Sequence, residues 1–219
     1  MDKIGFPNKK GSAIEYCNLS LEGYKELLKV LFQQTDFALN CHYIGDRIYT
    51  KLSQKYKHLE NKWYIYALNS LDDEMIYIII KLYNGQKEEL SLFNILSYFA
   101  IEENVNAFFT TPEKRQIFKN LVDDYNNKCS DLRKKLITRR NNWQVHISRA
   151  ILDGDKFKNL INLNTNECFR LLCYAFHTIR KLYKTLFDEE IPIDKINHFS
   201  TYKEIDKFFS ALDDNGNLK

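Results

Sequence analysis

The sequence predicts an all-α fold built as a helix bundle, and three observations carry that prediction. Apolar residues recur at intervals of three and four along most of the chain, as they do on amphipathic helices. Glycine and proline are scarce, seven and three in 219 residues. That is too few for the turns of a β-sandwich or the phosphate loops of a doubly wound fold. Cap-forming residues also stand just before several of the periodic runs. An apolar share of 44% with 28% charged residues is ordinary for one globular domain.

Residues 1–19 lack sustained periodicity and read as an N-terminal arm, 20–212 as one helical domain, and 213–219 as a polar tail. From Ser20 onward, Tyr24, Leu27, Leu28, Leu31 and Phe32 form the apolar side of a first helix. After a polar break near Lys57 to Asn61, "KWYIYALNSLDDEMIYIIIKLY" predicts a second, which Gly85 stops. "SLFNILSYFAIEEN" begins a short helix with Ser91 as its cap. Thr111 and Pro112 open the longest segment, capped by the threonine and started by a proline whose missing donor is not needed there. Its stripe runs Phe118, Leu121, Tyr125, Cys129, Leu132, Leu136, Trp143, Ile147 and Ala150, and ends at Gly154. Asn164 with Glu167 three residues later reads as a capping-box variant. Behind it, Phe169, Leu172, Cys173, Phe176, Ile179, Tyr183 and Leu186 line another long helix. "YKEIDKFFSAL" is a last, weaker amphipathic segment.

Five cysteines are odd in number and scattered, with none of the paired short spacings of a zinc site or a disulfide framework. A reducing cytoplasm, no metal and no cofactor are the expectations. The amino terminus lacks a signal-peptide profile, and the strongest apolar run, "MIYIIIKLY", is too short to cross a bilayer, so no membrane partner is expected. The net charge of +3 is mild, but its distribution is uneven. Between Lys128 and Asn142 six basic residues face one acidic residue, Asp131, a local +5 that leaves −2 for the rest. Such a run is either a solvated helix face or an anion-binding surface.

Inside that run, "RRNNWQVHISR" places polar groups on a core-facing stripe. At about 100° per residue, Leu132, Leu136, Arg139, Trp143, His146 and Ala150 fall within roughly 40° of one direction. Asn142 precedes His146 by one turn and is within its reach. A buried guanidinium without a partner costs several kcal/mol. The stripe therefore either meets internal carboxylates, with Asp123, Asp124, Glu102 and Glu103 on offer, or lines a cleft or subunit boundary suited to phosphate.

These residues resemble the Arg-(four to six residues)-His signature of the HEPN superfamily of all-helical domains, with Arg140, Asn141 and His146 matching its pattern. The flanking "LDDEMIYIIIKLYNGQKEELSLFNIL" and "LNTNECFRLLCYAFHTIRKLY" are similar in order and character to its AbiU-type abortive-infection branch, so the likeness covers most of residues 20 to 187. The resemblance implies an antiparallel bundle of HEPN type with one long motif-bearing helix, dimerising with the two motif helices face to face. It further implies metal-independent RNA cleavage in phage defence or a toxin–antitoxin system, or, in silent relatives, binding of RNA or a protein partner. A cognate antitoxin or another defence-system partner follows from the same likeness.

On that reading His146 is general base or acid, since an imidazole with an unperturbed pKa of about 6.5 titrates near neutrality. Arg140 holds the phosphate and the charge that develops on it, and Asn141 orients one or the other. Because Arg139 precedes it, the register Arg139 to His146 is an alternative, with Asn142 in support. Lys134, Lys135 and Arg149 are candidates for the RNA backbone. A homodimer supplies the second histidine, so that one removes a proton and the other delivers one. Trp143 is bulky inside the motif and competes for the space of a base. His42 reads as a surface or capping residue, His58 and His177 as ordinary surface or edge residues, "LDDE" and "FDEE" as acidic helix ends, and "DGDKF" as too short of ligands for a calcium loop.

Overall fold

The computed structural model describes residues 19–55, 63–85, 90–139, 164–192 and 198–211. Eight helices account for nearly all of them: α1 (Leu21–Lys55), α2 (Trp63–Tyr83), α3 (Leu92–Phe99), α4 (Glu102–Phe108), α5 (Pro112–Lys128), α6 (Ser130–Arg139), α7 (Thr165–Phe187) and α8 (His198–Ser210). No strand occurs among the described residues, and the all-α class holds.

The predicted caps form. The Ser91 hydroxyl accepts from the Asn94 amide and donates to the Asn84 carbonyl, joining the end of α2 to the start of α3. Thr111 accepts from Lys114, with Pro112 at the first position of α5. Asn164 and Glu167 complete a reciprocal capping box on α7, with bonds of 2.9 and 3.0 Å.

Helix α3 is buried on nearly every side and forms the centre of the core. Helices α2 and α4 pack on it, Tyr24 of α1 and Phe118 and Tyr125 of α5 reach its rings, and α1 pairs most extensively with α2 and α7, where Phe32 meets Phe176. A chain of rings binds this centre: Tyr24 lies 4.8 Å from Phe99, and Phe109 stacks on Phe118 at 4.5 Å. Two buried tyrosines place their hydroxyls on backbone carbonyls of neighbouring helices. Tyr83 of α2 donates to Leu171 of α7, and Tyr174 of α7 donates to Leu121 of α5, each at 2.7 Å. Burial drives both phenols above their ordinary pKa, so they stay donors. Helix α8 docks on α1 by way of Asp206, which holds Arg47 and Lys51, and by a small cluster of Phe209 with Ile48, Leu68 and Ile205.

Four expectations change. The segment opened by Thr111 is not one helix up to residue 139 but two, parted at Cys129. The backbone bonds continue across the joint, from Cys129 to Tyr125 and from Arg133 to Cys129, while the Ser130 hydroxyl bonds the Asn126 carbonyl at 3.0 Å. That back-bonding from serine to the carbonyl one turn earlier bends helices. The longest described helix is α1, at 35 residues. The acidic run "LDDE" sits in the body of α2 rather than at an end. Cys173 is exposed, because α7 is enclosed by α1, α2 and α5 along the arc of Leu171, Ala175, Ile179 and Leu182 on its other side. The N-terminal arm up to residue 18 and the tail lie outside the described residues.

Candidate nucleic-acid interface

Helix α6 carries most of the described part of the basic run, which begins with Lys128 at the end of α5. Leu136 is fully buried and Leu132 packs on the core, which turns Lys134 and Lys135 outward. Arg133 does something else. Its Nε donates to the carbonyl of Tyr83, the last residue of α2, at 2.8 Å, and its guanidinium lies 3.5 Å from the centre of the Phe93 ring. A cation on the final carbonyl of a helix is favoured by the helix dipole as well as by the hydrogen bond. Arg133 therefore caps α2 and pins α6 to the α2–α3 junction. The close approach needs Gly85: a Cβ there would lie 2.5 Å from the guanidinium and 3.0 Å from Phe93.

The two candidate backbone lysines each meet a carboxylate. Lys134 bonds Asp131 at 2.8 Å on the open surface, a contact of little energetic weight. Lys135 bonds Glu167 at 2.6 Å, and Glu167 is the capping-box residue of α7. This lysine holds the Glu167 carboxyl below its ordinary pKa, helped by the Asn164 amide and opposed by partial burial. Lys135 thus ties the end of α6 to the start of α7. Lys128, at the end of α5, bonds Asp124 at 2.6 Å, which occupies one of the four carboxylates the sequence offers as internal partners for the motif.

Arg139 is the last residue of α6; its side chain lies outside the described residues, as do Arg140, Asn141, Asn142, Trp143, His146 and Arg149. What the structure places is the end of α6 and, tied to it by Lys135 and Glu167, the start of α7. Beyond Glu167, the outward face of α7 carries Arg170, His177, Lys181 and Lys184, and the whole helix holds four basic side chains against one acidic. Burial and the neighbouring Lys181 lower the His177 pKa, with Arg180 and Lys128 acting the same way and Asp124 against them. The net effect favours the uncharged ring. These residues escape a reading of α7 for its apolar stripe alone; the spacing of Arg170, His177 and Lys181 at seven and four residues was the available signal.

His42, read as a surface residue, is half-buried on α1 and stacks on Phe169 at 4.7 Å. His58 lies outside the described residues. Cys129 is packed in the core, and burial pushes its thiol up to about 12, which keeps it protonated. Among the described residues no three His, Cys, Asp or Glu side chains come together as a metal site, and no helix is long and apolar enough to cross a membrane. An open cleft of about 350 Å³ lies between α2 and the start of α7, lined by Asn69, Asp72, Asp73, Met75, Ile76, Thr165 and Cys168. Its paired carboxylates disfavour a phosphate chain. No family model, no curated protein and no solved structure matches this chain.

Proposed function

We propose that the chain is a metal-independent endoribonuclease of the HEPN type, acting in phage defence or as the toxin of a toxin–antitoxin pair. RNA is cut by attack of its own 2′-hydroxyl on the adjacent phosphate, at a site where two copies of the chain meet in an antiparallel helix bundle. Gly45 of α1 against Leu68 of α2 and the Glu74 carboxylate acting on Cys41 support an antiparallel course for these two helices. The observation that carries the proposal is the end of α6. Its outward cations, Lys134 and Lys135, stand one turn before Arg139, and the next residues in the chain are Arg140, Asn141 and, five positions later, His146.

In this reading Arg140 grips the scissile phosphate and stabilises the extra charge of the transition state, where a fixed cation counts most. His146 removes the 2′-hydroxyl proton, and His146 of the second copy protonates the departing 5′-oxygen. The expected products are a 2′,3′-cyclic phosphate and a 5′-hydroxyl end. Purified protein is expected to cut single-stranded RNA in the presence of chelator, and His146→Ala to reduce the rate by at least about 100-fold, as loss of a general acid–base does. Cleavage at the wild-type rate by that variant removes His146 from the mechanism.

A second reading, a catalytically silent helical module that binds RNA or a protein partner, draws on Lys135. That lysine is engaged in holding the α7 cap rather than free for substrate. Induced expression in bacteria separates the two. The ribonuclease slows growth in proportion to induction and its His146→Ala form does not, whereas the silent module leaves growth equal for both.

A further inference from the structure

The outward face of α7 carries a row of basic side chains, and beside it lies a cluster of rings shared with α1. Arg170, His177, Lys181 and Lys184 fall within about 60° of one another around the axis, and Arg170 to Lys181 spans roughly 16 Å along it. All four are exposed. Lys184 is held by Glu190, but among the described residues Arg170 and Lys181 have no carboxylate within ion-pair distance. Glu167, one turn before Arg170 and within its electrostatic reach, is bonded by Lys135, and Asp124 is bonded by Lys128. Along one flank lies a cluster of rings. His42 stacks on Phe169 at 4.7 Å, and Tyr43 meets the same ring edge-on at 6.0 Å. Tyr43 is 39% exposed, and the exposed Cys173 lies beside it. Asp46, one turn beyond Tyr43 on α1, bounds the cluster.

We infer that this strip is a binding track for single-stranded RNA, with Arg170 and Lys181 on phosphates and the Tyr43–Phe169–His42 cluster as a stacking platform for a base. The inference rests on the RNA reading above for its choice of polymer and extends it to a second surface outside the Arg–His motif. Arg170 and Lys181 beside a ring cluster whose Tyr43 is exposed offer what an unpaired strand needs, because cations neutralise the backbone and every base has a face to stack. A duplex keeps its bases stacked on one another and makes no use of the rings. An anionic membrane is a poorer match, since surface-binding helices insert large apolar side chains and α7 exposes none of them.

The experiment is titration of the full chain with a fluorescent 2′-O-methyl oligouridylate of about twenty nucleotides, which binds but lacks the attacking hydroxyl. It is read by anisotropy at several salt concentrations. Arg170→Glu/Lys181→Glu is expected to weaken binding at least tenfold and to lower the salt slope by about 1.4, or about 0.7 for each lost phosphate contact. Tyr43→Ala is expected to weaken binding by about fivefold or more with the slope unchanged. Lys203→Glu/Lys207→Glu on α8 makes the same change in net charge and is expected to leave the slope alone. Equal losses in the α7 and α8 variants, unchanged binding by Arg170→Glu/Lys181→Glu, or equal binding of the wild type to phosphatidylserine vesicles overturns the track. Cleavage of ordinary RNA by wild type and by the α7 variants is measured alongside. Binding that depends on α7 without cleavage keeps the track and removes the ribonuclease, and cleavage without α7-dependent binding does the reverse.

Discussion

Arg133 illustrates how a charge that reads as part of a binding surface is spent inside the fold. By sequence it is one of six cations in a row; in the structure it caps α2 and lies against Phe93. Removing it leaves the Tyr83 carbonyl without that charged donor, and bonds to charged groups contribute about 1.5–3 kcal/mol. Arg133→Ala is therefore expected to lower unfolding stability by about 2 kcal/mol in urea titrations. Gly85→Ala acts on the same contact from the other side, since its methyl displaces the guanidinium. The double variant should accordingly cost less than the sum of the two, because once the arginine is gone much of the clash is gone with it. Additive losses would mean that Gly85 and Arg133 act independently and that the close approach is not what demands glycine.

Among the elements, ends were more legible than middles. Ser91, Thr111 with Pro112, and Asn164 with Glu167 announce helix starts because capping is local chemistry, complete within four residues. The joint at Cys129 was hidden for the opposite reason. Phe118, Leu121, Tyr125, Cys129 and Leu136 all face the core on both sides of it, so periodicity runs through the bend unchanged. Which face of α7 is covered was likewise beyond a single-helix reading: Cys173 fits the apolar stripe by spacing, yet the burying neighbours are distant in sequence. The α6–α7 tie can be apportioned by experiment. Asn164→Ala removes a cap and should cost about 1 kcal/mol. Lys135→Ala removes an ion pair whose lysine is half-exposed and whose glutamate is partly covered, and should cost no more than that, within about 1 kcal/mol. A larger loss from Lys135→Ala in denaturant titrations would make the ion pair, rather than the cap, the stronger contact.

At the scale of the whole molecule, charge is sorted by element. The basic excess lies on α6 and α7, which are joined by Lys135 and Glu167, while α2 and α4 carry an acidic excess, that of α2 lining the cleft it shares with the start of α7. A sorted surface of this kind steers a polyanion toward one side of the protein and away from the carboxylates of the α2 cleft. The motif contributes one histidine per chain, yet the proposed cleavage needs one group to accept a proton and another to donate one. If twofold symmetry supplies the pair, each dimer has two such histidines and activity requires both. Mixing wild-type and His146→Ala chains in equal amounts, with time to exchange, then leaves about a quarter of the dimers intact, and activity should fall to about a quarter of that of undiluted wild type. With one histidine sufficient in each chain, the same mixture retains about half. Cleavage rates measured across mixing ratios therefore follow the square of the wild-type fraction for a shared site and its first power for two separate ones, and a linear dependence would place the second proton-transfer group within the same chain.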